Sequence, residues 1–322
     1  MIPDRSNLPP LVTIVGPTGV GKSAAAIAVG EHLPAEIINA DSRSFYRGMD
    51  IGTAKPGAED RQRVPHHLID IIDPSEPMSL ATFQDLAYAS IESIQSRDRV
   101  PLLVGGTPQY VNAVVEGWSI PRVPPNDAFR RELESEAEAI GIASLQDRLR
   151  EVDPDAAEAC RPNLRRIIRA LEVFNATGQP ISVLQTRQDV PFRTLEFELH
   201  APRNLLYERI DARVDAQIER GLVAEVALLL EQGLAPTASS FGSIGYRQIL
   251  PYLNGEVSLE AATERIKFDS HRLVRQQDTW FRKNPRLVQI DTTAPEWLAA
   301  LISMVADFTT PWLSNQSTEM RG

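Results

Sequence analysis

The sequence predicts an α/β fold: a parallel sheet covered by helices and interrupted by an inserted, mostly helical domain. Three observations predict it. Short continuous apolar runs rich in β-branched residues alternate with helical segments. A glycine-rich turn follows the first run and opens the first helix. After a proline-dense linker the pattern turns helical before a strand-like run returns.

The elements follow in order. LVTIV, Leu11 to Val15, reads as a buried strand. GPTGVGKS comes next, and SAAAIAVGEHL reads as a helix of strong helix formers. A second apolar run, Glu36 to Ala40, ends at Asp41. A third, Leu68 to Ile72, precedes the turn signal DPSEP. From Ser79 to Ile94, Leu80, Phe83, Ala87, Ile91 and Ile94 recur mostly at three- and four-residue steps, which predicts an amphipathic helix. Val100 to Val104 is another buried strand, closed by Gly105, Gly106 and Thr107.

IPRVPP, Ile120 to Pro125, is the linker. Asn126 to Glu158 then holds ten acidic residues against four arginines, whereas Arg161 to Arg187 holds five arginines and one acid, Glu172. That asymmetry predicts a helical subdomain with one basic face. TLEFEL, Thr194 to Leu199, returns the chain to the sheet, and RLVQI, Arg286 to Ile290, is expected to be the last strand. The expected organisation is core over 1–119, insertion over 120–196, core again over 197–308 and a frayed tail over 309–322.

Composition narrows the function classes. Thirty-three basic residues against 43 acidic ones give a net charge of −10, which argues against a protein that coats nucleic acid non-specifically. One cysteine, Cys160, excludes an internal disulfide and a cysteine-rich zinc site. His66 and His67 are adjacent, point in different directions and lack a third ligand. No apolar run nears the roughly 20 residues of a spanning helix, and the N-terminus lacks a signal pattern. A cytoplasmic protein without membrane contact is expected.

The strongest motif is Gly16, Pro17, Thr18, Gly19, Val20, Gly21, Lys22 and Ser23, which fits G-x-x-x-x-G-K-[ST] between a strand and a helix. Backbone N–H groups and the helix N-terminus can cradle a polyphosphate, Lys22 adds a point charge, and Ser23 offers a hydroxyl to Mg²⁺. The sheet is therefore P-loop NTPase-like. Asp41 follows a strand, where it could be a general base, a metal contact or a helix cap. Thr107 follows another strand, where it could donate to a phosphate or cap a helix. Basic residues cluster at Arg161, Arg165, Arg166 and Arg169, and seven more lie between Glu264 and Arg286. Such clusters in an acidic chain point to a polyanion partner as well as to solvated helix faces.

The ordered set GPTGVGKS, DSRSFYRGMDIGTAKP, PHHLIDIIDPSEPMS, GGTPQYVNAVVEG, LRRIIRALEVFNATGQP and SIGYRQILPYL resembles the tRNA dimethylallyltransferases, also called isopentenyltransferases, from about Leu11 to Ile290. The resemblance implies transfer of a dimethylallyl group from dimethylallyl diphosphate to N6 of the adenosine 3′ to the anticodon, in tRNAs reading U-initial codons. It implies a diphosphate over Gly16 to Ser23 with Mg²⁺ at Ser23, and catalytic roles for Asp41, Thr107, Lys22 and Arg213. It implies contacts to the tRNA anticodon stem-loop from Asp41, Ser42, Arg43, Ser44, Thr107, Arg130, Arg165, Arg166, Ile167, Ile168, Arg169, Gly242, Ser243, Ile244, Gly245, Tyr246 and Arg247. A monomer is expected. Gln109 and Ser44 depart from the commonest family pattern. The alternatives are a small-molecule P-loop kinase and a nucleotide-dependent RNA-binding protein.

Overall fold

The computed structural model describes residues 8–160 and 163–319, with side chains to Ser314. Six parallel strands form one sheet in the order β3-β2-β4-β1-β5-β6. They are β1 (Pro10–Val15), β2 (Ala35–Asn39), β3 (His66–His67), β4 (Val100–Gly105), β5 (Arg193–His200) and β6 (Val288–Asp291). Every residue of β1, β2 and β4 is buried, as strands covered on both faces must be.

The helices of the first part are α1 (Lys22–His32), α2 (Ala58–Arg63), α3 (Leu80–Gln95) and α4 (Pro108–Val115). Helix α3 starts where the sequence predicts, because the Ser79 hydroxyl accepts from the Thr82 N–H. The insertion holds α5 (Asp127–Ile140), α6 (Ile142–Val152), α7 (Pro154–Ala159), α8 (Leu164–Thr177) and α9 (Ile181–Leu184). Helices α10 (Arg203–Glu219), α11 (Leu222–Glu231), α12 (Tyr246–Leu253), α13 (Leu259–Phe281) and α14 (Trp297–Glu319) follow β5. No described helix is long and apolar enough to cross a membrane.

The chain divides into two compact units. One comprises the residues up to Val115 with those from Pro191 onward, and the other is Glu116–Val190. The first has its core around β1, β2 and β4, with Val12, Ile14, Leu102 and Phe197 fully buried. The second has a core of its own around Leu133, Leu145, Leu149, Ile167 and Val173.

Three expectations need correction. The insertion ends earlier than 196, since β5 begins at Arg193. Residues 68–72 do not form a strand, because Leu68 and Asp70 adopt φ of 60° and 57° and break the extended run after β3. Positions 309 to 319 are helical, not frayed: Leu301, Val305, Thr309 and Trp312 recur at helical spacing and are all buried. Arg161 lies outside the described residues.

Candidate active site

Three loops leave the C-terminal ends of β1, β2 and β4, and they meet on one cavity of about 1490 Å³. Open α/β sheets place ligands at this edge, where the order of strands reverses. Thr18, Gly19, Gly21, Lys22 and Ser23 line the cavity from the first loop, Asp41 to Ser44 from the second, and Gly105 to Thr107 from the third.

The first loop needs its glycines. Gly16 has φ of 145°, and a Cβ there would sit 2.4 Å from the Leu199 carbonyl oxygen. Lys22 Nζ donates to the carbonyls of Gly16 at 2.9 Å and Pro17 at 2.8 Å. Burial pushes its ammonium down to about 8, against the Asp41 charge that favours it, with Arg213 adding to the depression. Ser23 is exposed on the cavity wall.

Arg213 projects from α10 and donates to the Thr18 hydroxyl at 3.1 Å. Its Nε is buried without a hydrogen-bond partner. Burial lowers its pKa, and the Asp41 charge opposes that shift. A buried guanidinium N–H without an acceptor is costly, and Lys22 and Arg213 together make this wall of the cavity cationic.

Asp41 follows β2. Its Oδ1 accepts the Arg43 N–H at 2.9 Å, and the Asn39 side chain holds its backbone on both sides. Thr107 Oγ1 accepts the Ser42 N–H at 3.3 Å, which ties the second loop to the third. Thr107 also fulfils the cap reading, since its carbonyl accepts from Tyr110 and Val111 at the start of α4. Beneath this loop Tyr110 stacks on Phe83, with ring centroids 4.5 Å apart, and burial pushes its phenol up to about 12.

Among the described residues, no cluster of three acids, histidines or cysteines could hold a metal alone. Ser23 Oγ is the available oxygen of the motif.

The remaining expected contacts separate into groups. Gly242, Ser243, Ile244 and Arg247 line the same cavity. Ser44 and Ser243 do so although both are buried. Gly245 is buried away from the lining, and Tyr246 is wholly buried. The Tyr246 hydroxyl donates to Glu225, whose carboxylate also accepts the N–H groups of Asp50, Ile51 and Gly52. Tyr246 therefore anchors the segment 50–52 and is unavailable to an outside partner. Burial, reinforced by Glu225, drives its phenol far above the ordinary range. Sequence reasoning missed Glu225, whose only signal was its place in an apolar helix.

In the insertion Arg165 and Arg166 are exposed on α8. Ile167 and Ile168 are buried in the helical core, where their side chains hold α8 in place. Arg130 Nε donates to Glu172 Oε1 at 2.8 Å, and Arg169 donates to Glu172 Oε2 at 2.6 Å. Arg169 also holds the carbonyls of Pro121 and Val123. Glu172 is 2% exposed. Burial pushes its carboxyl up, but Arg130, the Asn126 N–H and Arg169 outweigh it and hold the group at about 2. Arg130 and Arg169 thus have an internal task.

Residues 44–284 match the family described as IPP transferase. A tRNA dimethylallyltransferase of Chloroflexus aggregans is 51% identical over 292 residues, covering 90% of this chain and 99% of the relative. One from Thermomicrobium roseum is 50% identical over 293 residues, covering 91% and 89%. The crystal structure of the tRNA isopentenylpyrophosphate transferase of Bacillus halodurans superposes with a TM-score of 0.69 at 40% identity, covering 97% of this chain and 99% of that one. A eukaryotic dimethylallyltransferase acting on tRNA gives a TM-score of 0.75 at 26% identity, covering 95% and 80%.

Proposed function

This chain belongs to the IPP transferase family, and we propose that it works as a tRNA dimethylallyltransferase through the cavity at the sheet edge. The observation that carries the reading is that Lys22, Arg213, Thr107 and Asp41 line one cavity, so that a carboxylate and two cationic groups face the same space. The donor is dimethylallyl diphosphate, and the acceptor is N6 of the adenosine 3′ to the anticodon in tRNAs that read U-initial codons.

The chemistry follows from the positions. The bond between the allylic carbon and the diphosphate oxygen breaks, and a bond from N6 to that carbon forms. Charge develops on the leaving diphosphate, where Lys22, Arg213 and the amides from Gly19 to Ser23 stabilise it. Mg²⁺ at Ser23 Oγ would neutralise further charge on the same oxygens. Thr107 donates to the oxygen that bridges carbon and phosphorus. Adenine N6 is a poor nucleophile because its lone pair is delocalised into the ring, so Asp41 accepts the proton that N6 loses. The base reaches Asp41 by leaving its stack. Exposed Arg165 and Arg166 supply backbone phosphate contacts that position the RNA.

The test is one incubation of the protein with Mg²⁺, labelled dimethylallyl diphosphate and an unmodified anticodon stem-loop. The reading predicts label on the RNA, lost when the adenosine 3′ to the anticodon is replaced. ATP hydrolysis without label on RNA would overturn it.

A further inference from the structure

Gln277 belongs to α13, far along the chain from the loops after β1 and β4, and is 7% exposed. Its Oε1 accepts the Thr18 N–H at 2.9 Å, and its Nε2 donates to the Gly106 carbonyl at 2.6 Å. One side chain therefore spans the loop after β1 and the loop after β4. The partners fix which way the amide points, since an N–H needs an acceptor and a C=O needs a donor. An uncharged amide offers both, on two separate atoms, at neutral pH. An ionised carboxylate donates nothing, and an ammonium accepts nothing.

The fit is close. A Cβ at Gly106 would stand 2.6 Å from Gln277 Nε2 and 3.5 Å from Lys22 Nζ. The amide thus lies close to the lysine, and a side chain at position 106 would push it aside. Thr18 is held twice, by Gln277 through its N–H and by Arg213 through its hydroxyl. On the other side Gly106 adjoins Thr107.

We propose that Gln277 is a positioning residue that sets the spacing between the diphosphate cradle and Thr107. It touches neither reacting atom. It acts through Thr18 and Gly106, and so fixes where the leaving oxygen lies relative to the Thr107 hydroxyl. The proposal rests on the dimethylallyl-transfer reading above and adds a residue that the family motifs did not single out in this sequence. Displacement of a catalytic loop by about 1 Å costs up to about 100-fold in rate, which makes such a strut worth a buried polar side chain.

The experiment uses the full chain with Gln277→Met, which keeps the length and loses both hydrogen bonds, and Gln277→Glu, which keeps only the acceptor and adds a negative charge. Steady-state kinetics are read separately for donor and stem-loop RNA, with Tm measured alongside. The expected result for Gln277→Met is a kcat lower by about 10- to 100-fold. Its donor KM rises while its RNA KM stays near the parent's, and its Tm falls by only a few degrees, so that the protein stays folded at the assay temperature. Gln277→Glu shows a still higher donor KM, because its charge repels the diphosphate. Should Gln277→Met not fold, Gln277→Glu gives the same split. Unchanged kcat and donor KM, or a rate that falls only in step with the unfolded fraction, overturns the proposal. Equal donor KM in the two variants overturns it too. A parent that transfers no label to RNA overturns the functional reading itself, a result distinct from an active parent with indifferent variants.

Discussion

Two cations at the sheet edge, Lys22 and Arg213, and two arginines of the insertion, Arg130 and Arg169, follow opposite rules. At the sheet edge Lys22 hydrogen-bonds backbone carbonyls and Arg213 a hydroxyl, with the Arg213 Nε left without a partner. In the insertion Arg130 and Arg169 close on the buried Glu172. The first arrangement leaves positive charge to be satisfied by an arriving anion. The second uses positive charge to hold helices together. Residue type alone does not distinguish these two pairs; in the insertion the buried Glu172 takes both guanidinium groups.

The largest expected effect is on the open side. Asp41→Asn keeps an acceptor for the Arg43 N–H but loses the base, and should lower kcat by about 10²- to 10⁴-fold with RNA affinity retained. Pre-steady-state label transfer and filter binding check the two halves. An equal loss of affinity would make Asp41 a binding residue.

The closed side should respond in stability. Glu172→Gln removes the charge that pairs two arginines, each about a third exposed, and should cost about 1.5–3 kcal/mol in urea unfolding. Folding depresses the Glu172 pKa, so its contribution is present above the ordinary value of 4.5 and is lost as pH falls toward about 2. The parent should therefore lose stability across that window more steeply than the variant. Identical pH profiles would break the contrast between the two regions.

Tyr246→Phe sharpens it further. The change removes one of four donors to Glu225 and should cost about 1.5–3 kcal/mol in stability. RNA affinity should not move, because the ring is wholly buried. A selective loss of RNA binding would restore Tyr246 to the interface. The smallest effect belongs to Arg165→Ala, which should weaken stem-loop binding and reduce the salt slope by about one unit. An unchanged slope would show that Arg165 meets no phosphate.

Much of the active side was legible because it is local. The loop from Gly16 to Ser23 carries its spacing in eight consecutive residues, and Asp41 and Thr107 were placed by the strands that precede them. What stayed hidden depends on distant partners. Gln277 meets Thr18 across 259 positions, and Glu225 meets Gly52 across 173. No periodicity encodes either. The arginine cluster of α8 was visible as charge, but Glu172 divides it, committing Arg169 inward while Arg165 faces out. The run Leu68 to Ile72 read as a strand by composition, and two positive φ angles overrode that preference.

The central claim is that the cationic cradle is built for a diphosphate donor. Calorimetric titration of dimethylallyl diphosphate with Mg²⁺ into the parent and Arg213→Met tests it most directly, with ATP titrated in parallel. The account predicts donor binding that weakens as pH rises through about 8, where Lys22 loses its charge. It predicts at least about tenfold weaker binding in the variant, the equivalent of about 1.4 kcal/mol. ATP binding tighter than the donor, indifferent to Arg213, would contradict it.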